Sequence, residues 1–243
     1  MKRQIKRALN WIGFDVIRYL DPRRSREHRL PSRIDVLDLV LYRVASSVPD
    51  FFFVQIGAND GVCCDPIREY VIKSHWRGLL VEPVPFLFRR LVENYRDEPQ
   101  LIFENVAVAP HDGAMTLYTV NGAAPDFYMY GLTSFDKNHL LTKLPKDVPI
   151  KELEVPTLSL ATLLSKHSIT KIHLLQIDVE GYDYEIIKML DFDVLKPTII
   201  NFEHVNIPRI ERWECYRFLA DRGYDLATSG MDTVAFLQST FDQ

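Results

Sequence analysis

Asn59, Asp60, Glu82, Asn105, Asp178, Glu180, Glu203 and His204 each follow a short apolar run in the chain. Asp60, Glu82, Asp178, Glu180 and Glu203 are carboxylates, and carboxylates gathered on one edge repel one another unless a cation or hydrogen-bond donors offset them. That points to a ligand with a positive centre. His204 is the acid–base candidate, because an imidazole titrates near neutrality and can take a proton from a hydroxyl, with Glu203 or Asp178 to orient it. Asp178, Glu203 and His204 also offer hard oxygens and one imidazole, a set that suits a divalent metal such as magnesium.

Residues 51–61 (FFFVQIGANDG) must position the first of these groups. An apolar run that stops at a glycine reads as a strand buried on both faces. Gly57 and Gly61 bracket a tight turn and carry no Cβ to keep a ligand from the backbone. Asp65 and Pro66 then read as the cap and first position of a helix. Strand, glycine turn and helix open a nucleotide-binding α/β domain, yet the spacing is not that of a dinucleotide fingerprint. Asn59 stands where the middle glycine belongs, and Asp60 adds a charge that would repel a diphosphate. The turn suits the amine and sulfonium of S-adenosylmethionine better than NAD. Residues 78–83 (GLLVEP) form a second apolar strand ending in Glu82, about 20 residues on, where an acid accepts ribose hydroxyls. Asn105 offers a donor and an acceptor to a base edge, and Val106 is small enough to pack on it.

Further along, 34–47 and 85–95 carry apolar residues at helical spacing, and Gly78 is placed to stop the helix that starts near Ile67. Residues 101–109 read as a third strand interrupted at Glu104-Asn105, and 115–120 as a strand of a hairpin that extends the sheet locally. Residues 121–150 are irregular; a loop of that length is more often functional than idle, and it reads as a lid whose Phe127, Tyr128, Met129 and Tyr130 offer stacking surface. Ser134 is a polar contact under it. Strands at 171–177 and 197–202 deliver Asp178, Glu180, Glu203 and His204, and two last strands lie at 224–227 and 233–237. The alternation predicts an α/β fold: a mostly parallel sheet with helices on both faces and ligands at the carboxyl ends of its strands.

The 243 residues suit one α/β domain at 49–243 preceded by a basic extension at 1–48. Residues 1–33 hold ten Lys/Arg against three acids, a net of +7, whereas the rest carries 19 against 30, a net of −11. An acidic body is a poor nucleic-acid platform, so no nucleic-acid partner is expected. The basic arm fits a solvated helix, or a contact with anionic lipid, with an acidic partner or with the acidic body itself. No window is apolar enough to span a membrane, and no secretory signal is evident. Three cysteines, Cys63, Cys64 and Cys215, argue against a disulfide framework and fit the cytoplasm.

In the stretches VQIGANDG (54–61), LLVEPVP (79–85), NVAV (105–108), LLQIDVEGYDYEII (174–187) and IINFEH (199–204), the chain resembles the FkbM family of S-adenosylmethionine-dependent methyltransferases. The resemblance implies a class I Rossmann-like methyltransferase fold of seven strands, the last antiparallel, and methyl transfer to a hydroxyl, often on a sugar. It implies Gly57, Asn59 and Gly61 around the methionine moiety, Glu82 on the ribose and Asp178 near the methyl group. The family's S-L-D-x-L pattern is broken by Ala161, so nothing is carried to that position. A glycan hydroxyl acceptor is the first expectation; a soluble secondary metabolite and a non-catalytic cofactor-binding partner are the alternatives.

Overall fold

The computed structural model describes residues 35–45, 48–121 and 127–237; the basic arm lies outside them. Helix α1 (Val36–Ala45) leads into strand β1 (Phe52–Ile56). Then come α2 (Arg68–Ser74), β2 (Arg77–Val81), α3 (Pro85–Asn94) and β3 (Leu101–Glu104). Strands β4 (Ala107–Val108), β5 (Gly113–Val120) and β6 (Ile150–Leu158) follow, with α4 (Lys137–Lys143) inserted between β5 and β6. The chain closes with α5 (Leu160–Lys166), β7 (Leu174–Ile177), α6 (Asp183–Lys188), β8 (Ile199–Glu203), α7 (Arg209–Ala220), β9 (Tyr224–Ser229) and β10 (Asp232–Leu237).

Seven strands form one sheet in the order β3-β2-β1-β7-β8-β10-β9, with β10 antiparallel to both of its neighbours and the other pairs parallel. The strand order reverses between β1 and β7, which opens a crevice at their carboxyl ends. Side chains alternate between the two faces, as the period of a strand requires. Val54, Ile56, Leu79, Val81, Leu175, Ile177, Ile200 and Phe202 bury against α5, α6 and α7. Phe53, Leu80, Leu174, Ile199 and Val234 bury against α1, α2 and α3. Helix α1 is therefore part of the core through Leu37, Val40, Leu41 and Val44.

Several local expectations change. Asp65 accepts the amides of Ile67 and Arg68 at 2.9 and 3.1 Å, so it closes an Asx turn before α2, which starts at Arg68 rather than at Pro66. His75, at φ 48°, ends α2; Gly78 lies inside β2, where a Cβ would strike the Phe53 ring. The third strand is two strands, because Asn105 turns the chain and β4 joins a separate sheet of order β4-β6-β5. The β5–β6 hairpin thus builds its own sheet instead of extending the main one. In the insertion, Met129, Leu140, Leu144 and Val148 bury with Val120 in a cluster of their own, and Tyr130 packs edge-on to Phe86 with centroids 5.7 Å apart. Met129 and Tyr130 thus anchor the insertion instead of presenting stacking surface; the side chains of Phe127 and Tyr128 lie outside the described residues.

Candidate active site

A cleft of about 760 Å³ opens at the carboxyl ends of β1, β2, β7 and β8, within the range of ~300–1,000 Å³ usual for small-molecule sites. Beyond β1 the backbone passes through the left-handed region at Gly57 (φ 82°), Asn59 (φ 51°) and Gly61 (φ 69°). A Cβ on Gly57 would stand 1.8 Å from the Asp178 carbonyl oxygen, so the missing side chain lets β1 and β7 finish side by side. The Asp178 amide completes that approach by donating to Ile56 O at 3.0 Å. At Gly61 the crowding would come from Leu91 and Tyr95, so that glycine seats α3 against the turn and does not admit a ligand.

Asp60 turns away from the cleft. It is buried; its Oδ1 accepts the amides of Val62 and Cys63 at 3.0 and 2.8 Å, and its Oδ2 faces Arg90 at 3.4 Å. The carboxylate shapes the turn and meets a guanidinium, so the expected repulsion of a diphosphate does not arise at this residue. The negative field in the cleft has other sources: Glu82, Asp178, Glu180 and Glu203 all line it.

Glu82 is buried at the end of β2. Its Oε2 accepts the Asn59 amide and its Oε1 the Val84 amide, both at 2.9 Å. Burial pushes its carboxyl up to about 8 against the pull of those two amides, and the charges of Asp178 and Asp60 add to the rise. Each oxygen keeps acceptor capacity for a ligand hydroxyl. Asn105 donates its Nδ2 to the carbonyls of Glu82 and Pro83 at 2.7 and 3.1 Å, so it fixes the strand end and is not part of the cleft lining. Val106 and Ala107 do form the adjoining wall.

Asp178 opens onto the cleft yet sits deep among protein atoms. Burial pushes it up to about 7, with the Glu203 charge adding to the effect. Burial likewise raises Glu180 to about 8, again with Glu203 contributing. Asn206 bridges two of these acids, donating its Nδ2 to Glu180 Oε2 at 2.8 Å and to Glu203 Oε2. Lys143 of α4 donates to Asn206 Oδ1 and lowers the carboxyls of Asp178, Glu180 and Glu203 through its charge. Beneath them, wholly buried Asp183 accepts the amides of Gly181 and Glu203 at 3.1 and 3.2 Å, tying the end of β8 to the loop after β7.

His204 is not brought into the cleft. Its Nδ1 pairs with Thr233 Oγ1 at 3.1 Å, and Thr233 Oγ1 in turn lies 3.1 Å from the Tyr216 hydroxyl. Alternation along β8 explains this, since Glu203 and His204 leave on opposite sides. The imidazole that does line the cleft is His139 of α4, whose Nε2 is buried without a hydrogen-bond partner and whose pKa burial lowers. With His204 facing Thr233, the expected metal trio does not assemble, and no group of three His, Cys, Asp or Glu among the described residues is arranged to hold a metal.

Sequence reasoning missed Lys143, His139, Asn206 and Asp183. Asp183 carried a signal, since it lies in the DVEGYD stretch, and Asn206 follows Glu203, the acid that ends β8, by three residues. Nothing in the local pattern marks Lys143 or His139, because the short helix α4 that carries them lies within an insertion whose placement beside the cleft is not a local property. The aromatic pair in the cleft is Phe135 and Tyr182, edge-to-face with centroids 5.6 Å apart.

The cleft fits an S-adenosylmethionine-sized ligand on its own terms. It has a carboxylate with spare acceptor capacity at Glu82, an apolar wall at Val81, Val106 and Ala107, and acids at the far end. Gln55 lines the same space and keeps a buried Oε1 without a partner, an acceptor suited to an ammonium. Sheet order, the antiparallel β10 and this cleft define a class I Rossmann-like methyltransferase. The methyltransferase FkbM domain model matches residues 55–226, and the chain belongs to that family of S-adenosylmethionine-dependent methyltransferases. No curated protein matches the chain. Among solved structures it is similar to the methyltransferase FkbM from Methylobacillus flagellatus, at 11% identity and a TM-score of 0.49 over 77% of this chain and 44% of that one. It is similar also to an RNA methyltransferase from Salinibacter ruber in complex with S-adenosyl-L-homocysteine, at 12% identity and a TM-score of 0.40 over 86% and 92% of the two chains. Fibrillarin from Methanococcus jannaschii aligns at 12% identity and a TM-score of 0.43 over 78% and 67%.

Proposed function

We propose that the protein methylates a hydroxyl oxygen of a sugar or glycan. The observation that carries this reading is the pairing, in one cleft, of several carboxylates with the Phe135–Tyr182 aromatic pair. Carboxylates and amides are good partners for the many hydroxyls of a sugar ring, and an aromatic pair offers its apolar C–H faces a surface to rest on.

The bound cofactor supplies an activated methyl group on a sulfonium. The chain has to hold the acceptor oxygen in line with that group, take its proton and keep water out. Glu82, oriented by the Asn59 amide, holds the ribose end. Gln55 and the acids beyond Gly57 hold the cationic end. Asp178, with a pKa near neutrality, accepts the hydroxyl proton on its carboxylate, while Glu203 and Asn206 orient the acceptor. The insertion at 127–150 covers this end of the cleft through Ser134, Phe135, His139 and Lys143.

The arm of net +7 further suggests peripheral contact with an anionic membrane; no helix among the described residues is long and apolar enough to cross one. The test is transfer of labelled methyl groups to a panel of mono- and oligosaccharides, with the corresponding deoxy sugars as controls. Label arriving only on nitrogen-bearing acceptors, with the sugars untouched, would sink the O-methylation reading.

A further inference from the structure

The mouth of the cleft carries an apolar rim. Asn206, Pro208, Glu211 and Met231 line the cleft where α7 begins and where β9 turns into β10. Beside them Val205, Ile210 and Trp213 face outward, 39%, 76% and 61% exposed, and Met231 itself is 62% exposed. These residues adjoin: the His204 amide donates to Met231 O at 2.9 Å, and Arg212 Nη2 donates to Val205 O at 3.2 Å. Ile210 and Trp213 share one face of α7, three residues apart; exposed Arg209 and Arg217 stand four residues to either side of Trp213, and exposed Glu214 stands four residues beyond Ile210 on the same face. Two large apolar side chains between two arginines form a poor solvated surface and a good interfacial one, with rings and aliphatic chains at headgroup level and guanidinium groups on phosphates.

The charge of Asp35, the first described residue, adds to the rise of the carboxyl of Asp232, the neighbour of Met231. The preceding stretch of net +7 carries the basic charge that a single apolar patch lacks.

We propose that Val205, Ile210, Trp213 and Met231 seat the mouth of the cleft on an anionic lipid surface, so that the acceptor is presented from that surface. The presentation of an acceptor rests on the glycan methyltransferase reading; the docking does not. The arm provides long-range attraction that salt screens, and the rim provides contact that salt does not abolish.

The experiment uses the full chain and vesicles of phosphatidylcholine with or without phosphatidylserine. A Trp11→Phe background, with Trp76 buried, leaves Trp213 as the exposed indole reporter. Binding should blue-shift the emission of Trp213, and brominated lipid should quench it. Ile210→Ser with Trp213→Ser should weaken co-sedimentation with the mixed vesicles about tenfold at unchanged net charge. Calorimetry with S-adenosylhomocysteine on the same variant should be unaltered, which reports that the fold and the cofactor end are intact. Vesicle binding that depends on the arm and ignores the double substitution would overturn the proposal. So would a rim whose substitution splits a dimer in light scattering without any lipid binding, since the occupant would then be a second copy. Failure of the wild type to bind S-adenosylhomocysteine would count against the methyltransferase reading and leave the vesicle result standing.

Discussion

The amide of Asn59 donates to Glu82 Oε2 at 2.9 Å, so the glycine turn after β1 and the carboxylate after β2 are one unit before any ligand arrives. Glu82→Gln disturbs both halves. An amide offers one accepting oxygen where two backbone donors, from Asn59 and Val84, now each have one. The substitution should lower S-adenosylhomocysteine affinity at least about tenfold and cost ~1–3 kcal/mol of stability, read by calorimetry and thermal unfolding. Undiminished affinity would mean that the ribose does not sit on Glu82.

The acids of the cleft set a pH dependence with a defined sign. Asp178 is raised to about 7, Glu180 and Glu82 to about 8 and neighbouring Asp232 to about 6, in each case mainly by burial. An acid raised on folding holds its proton longer when folded. Its contribution is present below its ordinary carboxyl range and is lost as pH rises through the raised value. The melting temperature of the ligand-free protein should therefore fall between about pH 5 and pH 8. Lys143→Met removes a cation that opposes these shifts and should steepen the fall. S-adenosylmethionine should flatten it more than S-adenosylhomocysteine does, because it brings a sulfonium. A flat profile for the ligand-free protein would show that water reaches these carboxyls freely.

Two glycines with positive φ should respond very differently to alanine. At Gly57 a Cβ would collide with the Asp178 carbonyl, and Gly57→Ala should cost about 3 kcal/mol or more and weaken cofactor binding. At Gly230 nothing lies within 4 Å, so Gly230→Ala should cost only the strain of the left-handed backbone, about 1 kcal/mol. Urea unfolding of the two variants checks the contrast, and equal costs would refute the close approach of β1 and β7.

Asp178 and His204 separate chemistry from packing. Asp178→Asn should lower methyl transfer to the best sugar acceptor by about 100-fold or more while the fold persists. His204→Gln should leave turnover within a small factor and cost about 1 kcal/mol, because it disturbs the contact with Thr233 and not the cleft. Turnover that vanishes in His204→Gln, with cofactor affinity intact, would reverse that assignment.

The three thiols should label in order. Cys64 is exposed, Cys63 lies 3.6 Å away with its thiol pushed up to about 11 chiefly by burial, and Cys215 is buried and raised to about 12. Titration with a chromogenic disulfide should give one fast thiol, one slow thiol and one that reacts only on unfolding. Cys63 and Cys64 both line the cleft, so S-adenosylhomocysteine should slow the first two. Equal rates for all three would contradict the burial of Cys215.

The backbone of the site was legible because buried parallel strands leave a strong mark. The runs at 51–56, 78–81, 174–177 and 199–202 are mostly apolar, and the polar residues after them fall at one edge of the sheet. What misled was direction. Asp60 and Asn105 have the right types at the right positions, but each turns inward to accept or donate backbone hydrogen bonds. His204 looked like a base because it follows Glu203, and the alternation of a strand sends adjacent side chains to opposite sides.

The local apolar runs and the residues that end them carried the α/β architecture, the place of the cleft and the carboxylates Glu82, Asp178 and Glu203, and the family resemblance of those stretches implied the class I topology. Tertiary structure alone decided that Lys143 and His139 reach the cleft, that Asn206 bridges Glu180 and Glu203, and that Arg90 meets Asp60. Those contacts join segments far apart in the chain, and no local period encodes a distance across a fold.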